Sequence, residues 1–288
     1  MPNEKINPTS VTFEYGKNKS ETVLSNWTVF TNTQSLTINK SCLSKSYFLE
    51  DKIAYIIDIK NNSDIPIFNV EIKENMGRIK KADNSDVYAP LKYTDTFRYY
   101  LNGNIMDIAP PKTYSDKIIF EIEAIPALST ACIMYVANIT DNAPLEAKSS
   151  ITNISSVIIP STGKTLESSH TINVREIADI KTIKQIKNYS ASGITYSIFI
   201  YNYGNIPAKN VIIKDQLENT FSSINIKVGS KILNSTDYSI TTTNDLQIPS
   251  YGSKYSISVP EAKFIKDEKS KKLGVIPGVV EVTIDSKV

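Results

Sequence analysis

Two segments of this chain repeat one another without a gap. Residues 53–76 read IAYIIDIKNNSDIPIFNVEIKENM, and residues 194–217 read ITYSIFIYNYGNIPAKNVIIKDQL. The tyrosine, the asparagine after it, the proline and the closing carboxylate fall at the same positions in both copies. A repeat of this kind predicts an array of two similar modules, and it favours a role as a spacer, a stalk or a binding surface.

The doubled segment has the pattern of β-strands around a turn. Apolar and polar residues alternate over Ile53–Ile59 and over Ile194–Ile200, a period of two that indicates half-buried strands. Residues 61–66 and 202–207 are rich in Asn, Ser, Gly and Pro, which reverse the chain. No segment has the apolar spacing of a helix. We therefore expect an all-β fold of two tandem immunoglobulin-like β-sandwich modules and an N-terminal β-hairpin.

The first 34 residues resemble the closing hairpin of an incomplete repeat. Asn7–Tyr15 is similar to residues 153–159, and Leu24–Phe30 is similar to residues 167–174. The expected division is 1–34 for this hairpin, 35–175 for module one with its closing hairpin, and 176–288 for module two.

The hairpin has apolar residues that need a cover, namely Val11, Phe13, Tyr15, Trp27 and Val29. It could dock on module one, or it could add to another chain as an extra strand, so that the protein self-associates. Docking on module one is favoured, because pairing within one chain avoids the entropy cost of association.

Composition excludes several classes of function. The 288 residues carry 32 basic and 30 acidic side chains, so a dedicated nucleic-acid surface is not expected. His170 is the only histidine, and no zinc, phosphate-loop or hydrolase signature is present, so we predict no enzyme activity, no metal and no cofactor. The N-terminus does not have the apolar core of a signal peptide, and no apolar run is long enough to span a membrane.

Cys42 and Cys132 both lie in module one. They could form a disulfide that staples this module, or they could be two free, partly buried thiols. Free thiols are favoured, because module two follows the same plan without any cysteine.

The doubled motif also resembles a known family. It reads Tyr-x-Ile-x-Ile-x-Asn, a turn, and Asn-Val-x-Ile-x-Asp-x-Leu, and it resembles the bacterial surface-protein repeat called domain of unknown function eleven, which is related to fimbrial and adhesin domains of Gram-positive bacteria. The matching residues are Lys40, Tyr55, Asn61, Asn69, Val70, Ile72, Glu74, Met76 and Asn153 in module one, and Lys184, Tyr196, Asn202, Asn210, Val211, Ile213, Asp215 and Leu217 in module two. The resemblance implies an immunoglobulin-like sandwich in an exported, repetitive protein at the cell surface.

Strand parity directs one lysine and one carboxylate inward in each module. Glu74 follows the inward residues of its strand, and Lys40 shares a face with apolar neighbours. Lys184 and Asp215 repeat this arrangement in module two. A buried lysine and a buried carboxylate need each other, so each pair is expected to be in contact.

Two interpretations of the module-one pair are open. In one, Lys40 and Asn153 form an intramolecular isopeptide bond while Glu74 shuttles the proton, as in the related adhesin domains. This chemistry needs a neutral amine, which burial favours by lowering the lysine pKa. In the other, Lys40 and Glu74 form an ordinary ion pair. In module two, Gly278–Ile284 is taken as the closing strand and has Glu281 where an asparagine would be needed, so only a structural pair is expected there.

Aromatic residues cluster in an insertion of module one, at Tyr93, Phe97, Arg98, Tyr99 and Tyr100. Aromatic side chains beside an arginine are typical of binding sites, but they could equally pack beneath a long loop.

The sequence therefore predicts a non-enzymatic structural or adhesive repeat protein of a bacterial surface, stalk or appendage. One alternative is a module that binds a surface glycan or another protein through residues 93–100. The other is an intracellular or spore-associated assembly protein, which the missing signal peptide favours.

Overall fold

The computed structural model describes residues 5–15, 19–29, 35–80, 87–114, 117–160, 162–217, 221–267 and 272–287. Every regular element within these ranges is a β-strand, which confirms the all-β class. Accordingly, no described residue belongs to a helix of the length and apolarity needed to cross a membrane.

The described residues up to Val174 contribute fifteen strands. They are β1 (Lys5–Tyr15), β2 (Lys19–Val29), β3 (Leu36–Cys42), β4 (Ser46–Tyr47), β5 (Lys52–Asn61), β6 (Ile67–Glu74), β7 (Ile79–Lys80), β8 (Val87–Tyr88), β9 (Leu91–Leu101), β10 (Asn104–Met106), β11 (Lys112–Thr113), β12 (Ile118–Ile125), β13 (Thr130–Ile139), β14 (Ser150–Ile158) and β15 (Thr165–Val174).

The described residues from Ile180 onward contribute twelve more. They are β16 (Ile180–Ser190), β17 (Gly193–Asn202), β18 (Ala208–Val211), β19 (Ile213–Gln216), β20 (Ser223–Val228), β21 (Lys231–Ile232), β22 (Ser239–Ile240), β23 (Asp245–Ile248), β24 (Ile257–Val259), β25 (Lys263–Lys266), β26 (Leu273–Ile276) and β27 (Gly278–Lys287).

One compact unit comprises Met1–Ser44, Lys52–Asn138 and Thr152–Thr171. It contains a sheet ordered β10-β9-β13-β5-β3 and a sheet ordered β11-β12-β6-β14-β15. Alternate residues of both sheets are buried and form one core, which is the arrangement of a β-sandwich. Its fully buried large side chains include Tyr55, Ile57, Ile72, Phe120 and Tyr135.

The other unit comprises Lys45–Asp51, Ile139–Ile151 and Ile172–Val288, so it includes three segments that the sequence boundaries assign to module one, namely 45–51, 139–151 and 172–175. Its largest sheet is ordered β16-β17-β27-β20-β21, and smaller sheets are formed by β18-β24, β19-β23-β22 and β25-β26. The core of this unit includes Ile200, Ile226, Ile248, Val259 and Ile284.

The doubled motif has the same local structure in both copies. The backbone takes a positive φ of 55° at Asn69 and of 53° at Asn210, a conformation that asparagine tolerates better than most residues. The amide nitrogen of Asn61 donates to the carbonyl of Ile65, and that of Asn202 donates to the carbonyl of Ile206, both at 2.8 Å. These asparagines therefore hold the turn, as turn-forming residues do.

Strand pairing corrects one assignment made from the sequence. Ile133 of β13 lies opposite Ile57 of β5, and Val282 of β27 lies opposite Ile198, the repeat equivalent of Ile57. Gly278–Ile284 is therefore the counterpart of β13 and not of the closing strand β14, and Glu281 does not occupy the position of Asn153. The sequence pattern was misleading because alternating apolar residues look alike in both strands.

β1 and β2 pair with each other in a separate two-stranded sheet, as expected for a hairpin. The question of where residues 1–34 dock depends on side chains outside the described part of the chain.

The turn asparagine supports a first prediction. The buried Asn61 amide donates to the carbonyls of Ile65, Ile125 and Pro126 at 2.8–3.1 Å. Asn61→Ala removes these buried hydrogen bonds and leaves their carbonyl acceptors with fewer donors, so it should lower the free energy of unfolding by about 1–3 kcal/mol in urea titrations. Asn62→Ala removes an adjacent, exposed amide and is the matched control. Equal effects of the two substitutions would contradict this role.

Candidate functional site

A buried polar cluster lies between the two sheets of the first unit. Lys40 of β3 and Tyr135 of β13 come from one sheet, whereas Glu74 of β6 and Asn153 and Ser155 of β14 come from the other. β6 and β14 pair with Ser155 directly opposite Glu74. The alternation of each strand directs these polar side chains into the core, so the structure brings the predicted Lys40, Glu74 and Asn153 together.

Tyr135 connects the members of the cluster. Its hydroxyl donates to Oε2 of Glu74, and it accepts from Nδ2 of Asn153 at 2.7 Å and from Nζ of Lys40 at 3.2 Å. Nζ of Lys40 also donates to Oε2 of Glu74 and, at 2.9 Å, to Oγ of Ser155. Because both nitrogens contact one oxygen, Lys40 Nζ and Asn153 Nδ2 lie no more than 5.9 Å apart, the sum of those two distances.

The cluster is withdrawn from water. The side chains of Lys40 and Glu74 are 0% exposed, and Asn153 is equally buried. Nζ of Lys40 lies 4.7 Å from the ring centre of Tyr55, which stacks on Tyr135. Burial lowers the pKa of the Lys40 amine, although the charge of Glu74 opposes this shift. Burial also raises the pKa of the Tyr135 hydroxyl well above its ordinary value, so this group stays a donor.

Two acceptors of the cluster lack a hydrogen bond among the described residues, namely Oε1 of Glu74 and Oδ1 of Asn153. Buried oxygens without a donor are costly. A proton transferred from Lys40 to Glu74 would leave both groups uncharged and would create a donor on the carboxyl group. The cluster therefore holds a lysine amine, whose pKa burial lowers, beside a carboxyl group and a side-chain amide.

Module two has only part of this arrangement. Nζ of Lys184 donates to Oδ1 of Asp215 at 2.8 Å and lies 4.7 Å from the ring centre of Tyr196. The side chains of Lys184 and Asp215 are 37% and 14% exposed, so this ion pair is far more open than the pair in module one. By strand register, Ile284 occupies the position of Tyr135.

The predicted aromatic patch is divided between core and surface. Tyr93 and Tyr99 are buried, Phe97 packs against Phe120 with ring centres 5.8 Å apart, and Arg98 is exposed. The alternation of β9 causes this division, so the five residues do not form one exposed platform. Their role in binding stays a prediction.

Tyr99 also lines an open groove of about 760 Å³, together with Met106, Ile108 and the carboxylates of Glu71 and Glu121. Tyr93, Phe97, Arg98 and Tyr100 are not among the residues that line it. A glycan- or protein-binding role at this groove would therefore use Tyr99 alone of the five predicted residues.

The remaining candidates have no part in the cluster. Cys42 and Cys132 are free, partly buried thiols that lie opposite different residues of β5, and burial raises the pKa of Cys132 to about 12. His170 lies on β15. Within the described ranges, no group of three or more histidine, cysteine or acidic residues could hold a metal ion.

Sequence reasoning missed Tyr135 and Ser155. The signal was present, because Tyr135 has the parity of the buried Ile133 and Ser155 comes two residues after Asn153. Polar groups on the inward face of a strand need partners, and this rule would have found both.

No protein-family model matches this chain, and no curated protein sequence matches it. Solved structures give weak similarities. The major pilin subunit BcpA of Bacillus cereus is 10% identical with a TM-score of 0.36, over 88% of this chain and 66% of that chain. Domains D2 and D3 of the major pilin SpaD of Corynebacterium diphtheriae are 8% identical with a TM-score of 0.35, over 83% and 88%.

A family 123 glycoside hydrolase of Clostridium perfringens is 12% identical with a TM-score of 0.32, and the similarity spans 50% of this chain but only 28% of the hydrolase. With identities and TM-scores this low, these similarities carry no functional argument. The resemblance to the surface-protein repeat family therefore stays a prediction from the motif.

The hydroxyl of Tyr135 supports a second prediction. Tyr135→Phe keeps the ring but removes the group that links Glu74 to Asn153, so it should lower the free energy of unfolding by about 1–3 kcal/mol. Urea unfolding followed by circular dichroism measures the change. Tyr251→Phe, at a fully exposed tyrosine, should change the stability little. An unchanged stability of Tyr135→Phe would show that the hydroxyl does not organise the cluster.

Proposed function

We propose that this chain is a non-enzymatic structural or adhesive repeat protein in which an isopeptide bond between Lys40 and Asn153 locks module one. The observation that carries the proposal is the contact of a buried lysine, a carboxyl group and an amide across the two sheets. Such a bond turns two packed sheets into one covalent body, a property suited to a surface stalk or appendage.

The bond forms by attack of the neutral Nζ of Lys40 on Cγ of Asn153. Glu74 takes the ammonium proton of Lys40 and, as an acid, hydrogen-bonds to Oδ1, which polarises the amide carbon. Nδ2 of Asn153 leaves as ammonia, so one amine and one amide give one secondary amide and one ammonia. Ser155 and Tyr135 hold Nζ in place by accepting its hydrogen bonds.

This reaction occurs once within each molecule and processes no external substrate, so the role remains structural. The repeated sandwich and the motif resemblance favour a place on a bacterial surface. An ordinary ion pair between Lys40 and Glu74 is the competing explanation of the same geometry. The two explanations predict different masses for the intact protein.

Intact mass distinguishes them. The folded protein should weigh about 17 Da less than its sequence mass, and a tryptic digest should give a branched peptide that joins Lys40 to Asn153. The Glu74→Gln and Asn153→Ala variants should have their full sequence masses. Lys184→Arg should keep the deficit, because Lys184 takes no part in the bond between Lys40 and Asn153. A folded wild-type protein at its full sequence mass would exclude the bond and leave the ion pair.

The bond should also stabilise module one. It would close a loop of roughly 110 residues, so its loss in Asn153→Ala should cost roughly 4–5 kcal/mol in the chain-entropy model. Ser155→Ala removes a hydrogen bond to Nζ but no bonding atom, so it should cost about 1 kcal/mol. Guanidinium titrations of both variants measure the difference. Similar losses for the two would speak against a covalent lock.

A further inference from the structure

Equivalent lysines in the two modules differ in their cover. Lys40 is 4% exposed, because β14 and β15 lie over it: Oγ of Ser155 accepts from its Nζ and Oγ of Ser168 accepts from its backbone nitrogen. Lys184 holds the same place beside a carboxylate and a tyrosine, yet its side chain is 37% exposed. Among the described residues, no strand covers the pair in module two as β14 and β15 cover the pair in module one.

The greater exposure of Lys184 corresponds to a difference in strand pairing beside it. β6 lies between β12 and β14, whereas its repeat equivalent β19 is the edge strand of the β19-β23-β22 sheet. No described strand pairs with the outer edge of β19. In addition, every residue of β16 is exposed, including Ile183, Ile186 and Tyr189. An edge strand beside an exposed apolar strand is an open site for strand addition.

The β1–β2 hairpin has the sequence pattern of β14, the strand beside β6 in module one. Asn153, Ser155, Val157 and Ile159 alternate along and just beyond β14, and all four are buried. The same alternation occurs on β1, where the corresponding residues are Asn7, Thr9, Val11 and Phe13. Among the described strands, β1 and β2 pair only with each other.

We propose that the β1–β2 hairpin of a second copy of this chain adds to the free edge of β19 and covers β16, so that copies join head to tail. The pairing of Ser155 with Glu74 fixes the register and places Thr9 opposite Asp215. Thr9 and Asn7 then take the places that Ser155 and Asn153 have in module one.

The polar groups at this site are complementary. Oδ2 of Asp215 is buried and has no hydrogen bond among the described residues, although Oδ1 accepts from Lys184. The side-chain amide of Asn7 offers the donor that this oxygen lacks, and the hydroxyl of Thr9 offers an acceptor for Lys184. The added strand brings both, and its apolar positions cover Ile186 and its neighbours.

The contact joins two different surfaces, so it does not close on itself as a two-fold dimer does. The wild-type chain should therefore give an average mass that rises steadily with concentration. This inference does not depend on the Lys40–Asn153 bond, because association is read from native mass and the bond is read from denatured mass.

The test uses two full-length variants that each lose one side of the contact. Val11→Asp places a charge on the covering face of β1, and Lys184→Glu places a like charge beside Asp215. In analytical ultracentrifugation each variant alone should stay at the monomer mass, whereas an equimolar mixture should reach twice the monomer mass and stop there, because one hairpin and one edge remain intact. Thr12→Asp and Lys181→Glu make the same charge changes on the opposite faces of β1 and β16, and both should behave as the wild type.

Three results would overturn the proposal. A wild-type chain that is monomeric at all concentrations would show that the hairpin does not add to β19 of a second copy. Oligomers that persist in Lys184→Glu would place the contact away from module two. A mixture of the two variants that stays monomeric while the wild type associates would exclude head-to-tail joining.

Discussion

The pairing of a lysine with a carboxylate inside a β-sandwich is the interaction on which the rest of this structure depends. A lone ammonium or carboxylate in the core would be costly, so Lys40 and Glu74 must be in contact. This contact fixes the position of β3 in one sheet relative to β6 in the other. Tyr135, Asn153 and Ser155 form hydrogen bonds with most of the remaining donors and acceptors. Oε1 of Glu74 and Oδ1 of Asn153 have no hydrogen bond among the described residues. Desolvation also lowers the pKa of the Lys40 amine, and the proposed bond needs this amine in its neutral form.

The two modules differ in how far neighbouring strands bury the same pair of a lysine and a carboxylate. In module one, β14 completes the sheet, excludes water and supplies the amide. In module two the lysine contacts the carboxylate and the equivalent tyrosine in the same way, but no described strand pairs with the outer edge of β19 beside them. The same lysine and carboxylate are therefore fully buried in one copy of the repeat and partly exposed in the other.

The sequence predicted the strands and the turns from the period of two and from the repeat. It predicted Lys40, Glu74 and Asn153 of the site because their strand parity directs them inward. It failed for β27, since Gly278–Ile284 has the same apolar alternation as a closing strand and only hydrogen-bond pairing reveals its neighbour. It also grouped Tyr93 and Tyr99 with exposed residues, although alternation along β9 buries both. Which face is covered depends on contacts between distant strands, and local sequence does not encode them.

An atomic-resolution crystal structure of the protein tests the central claim most directly, because it shows the electron density between Lys40 and Asn153. The account predicts continuous planar density from Nζ of Lys40 to Cγ of Asn153, with a carboxyl oxygen of Glu74 hydrogen-bonded to the new amide. Separate density for a lysine ammonium and an intact asparagine amide, in an otherwise identical core, would contradict it.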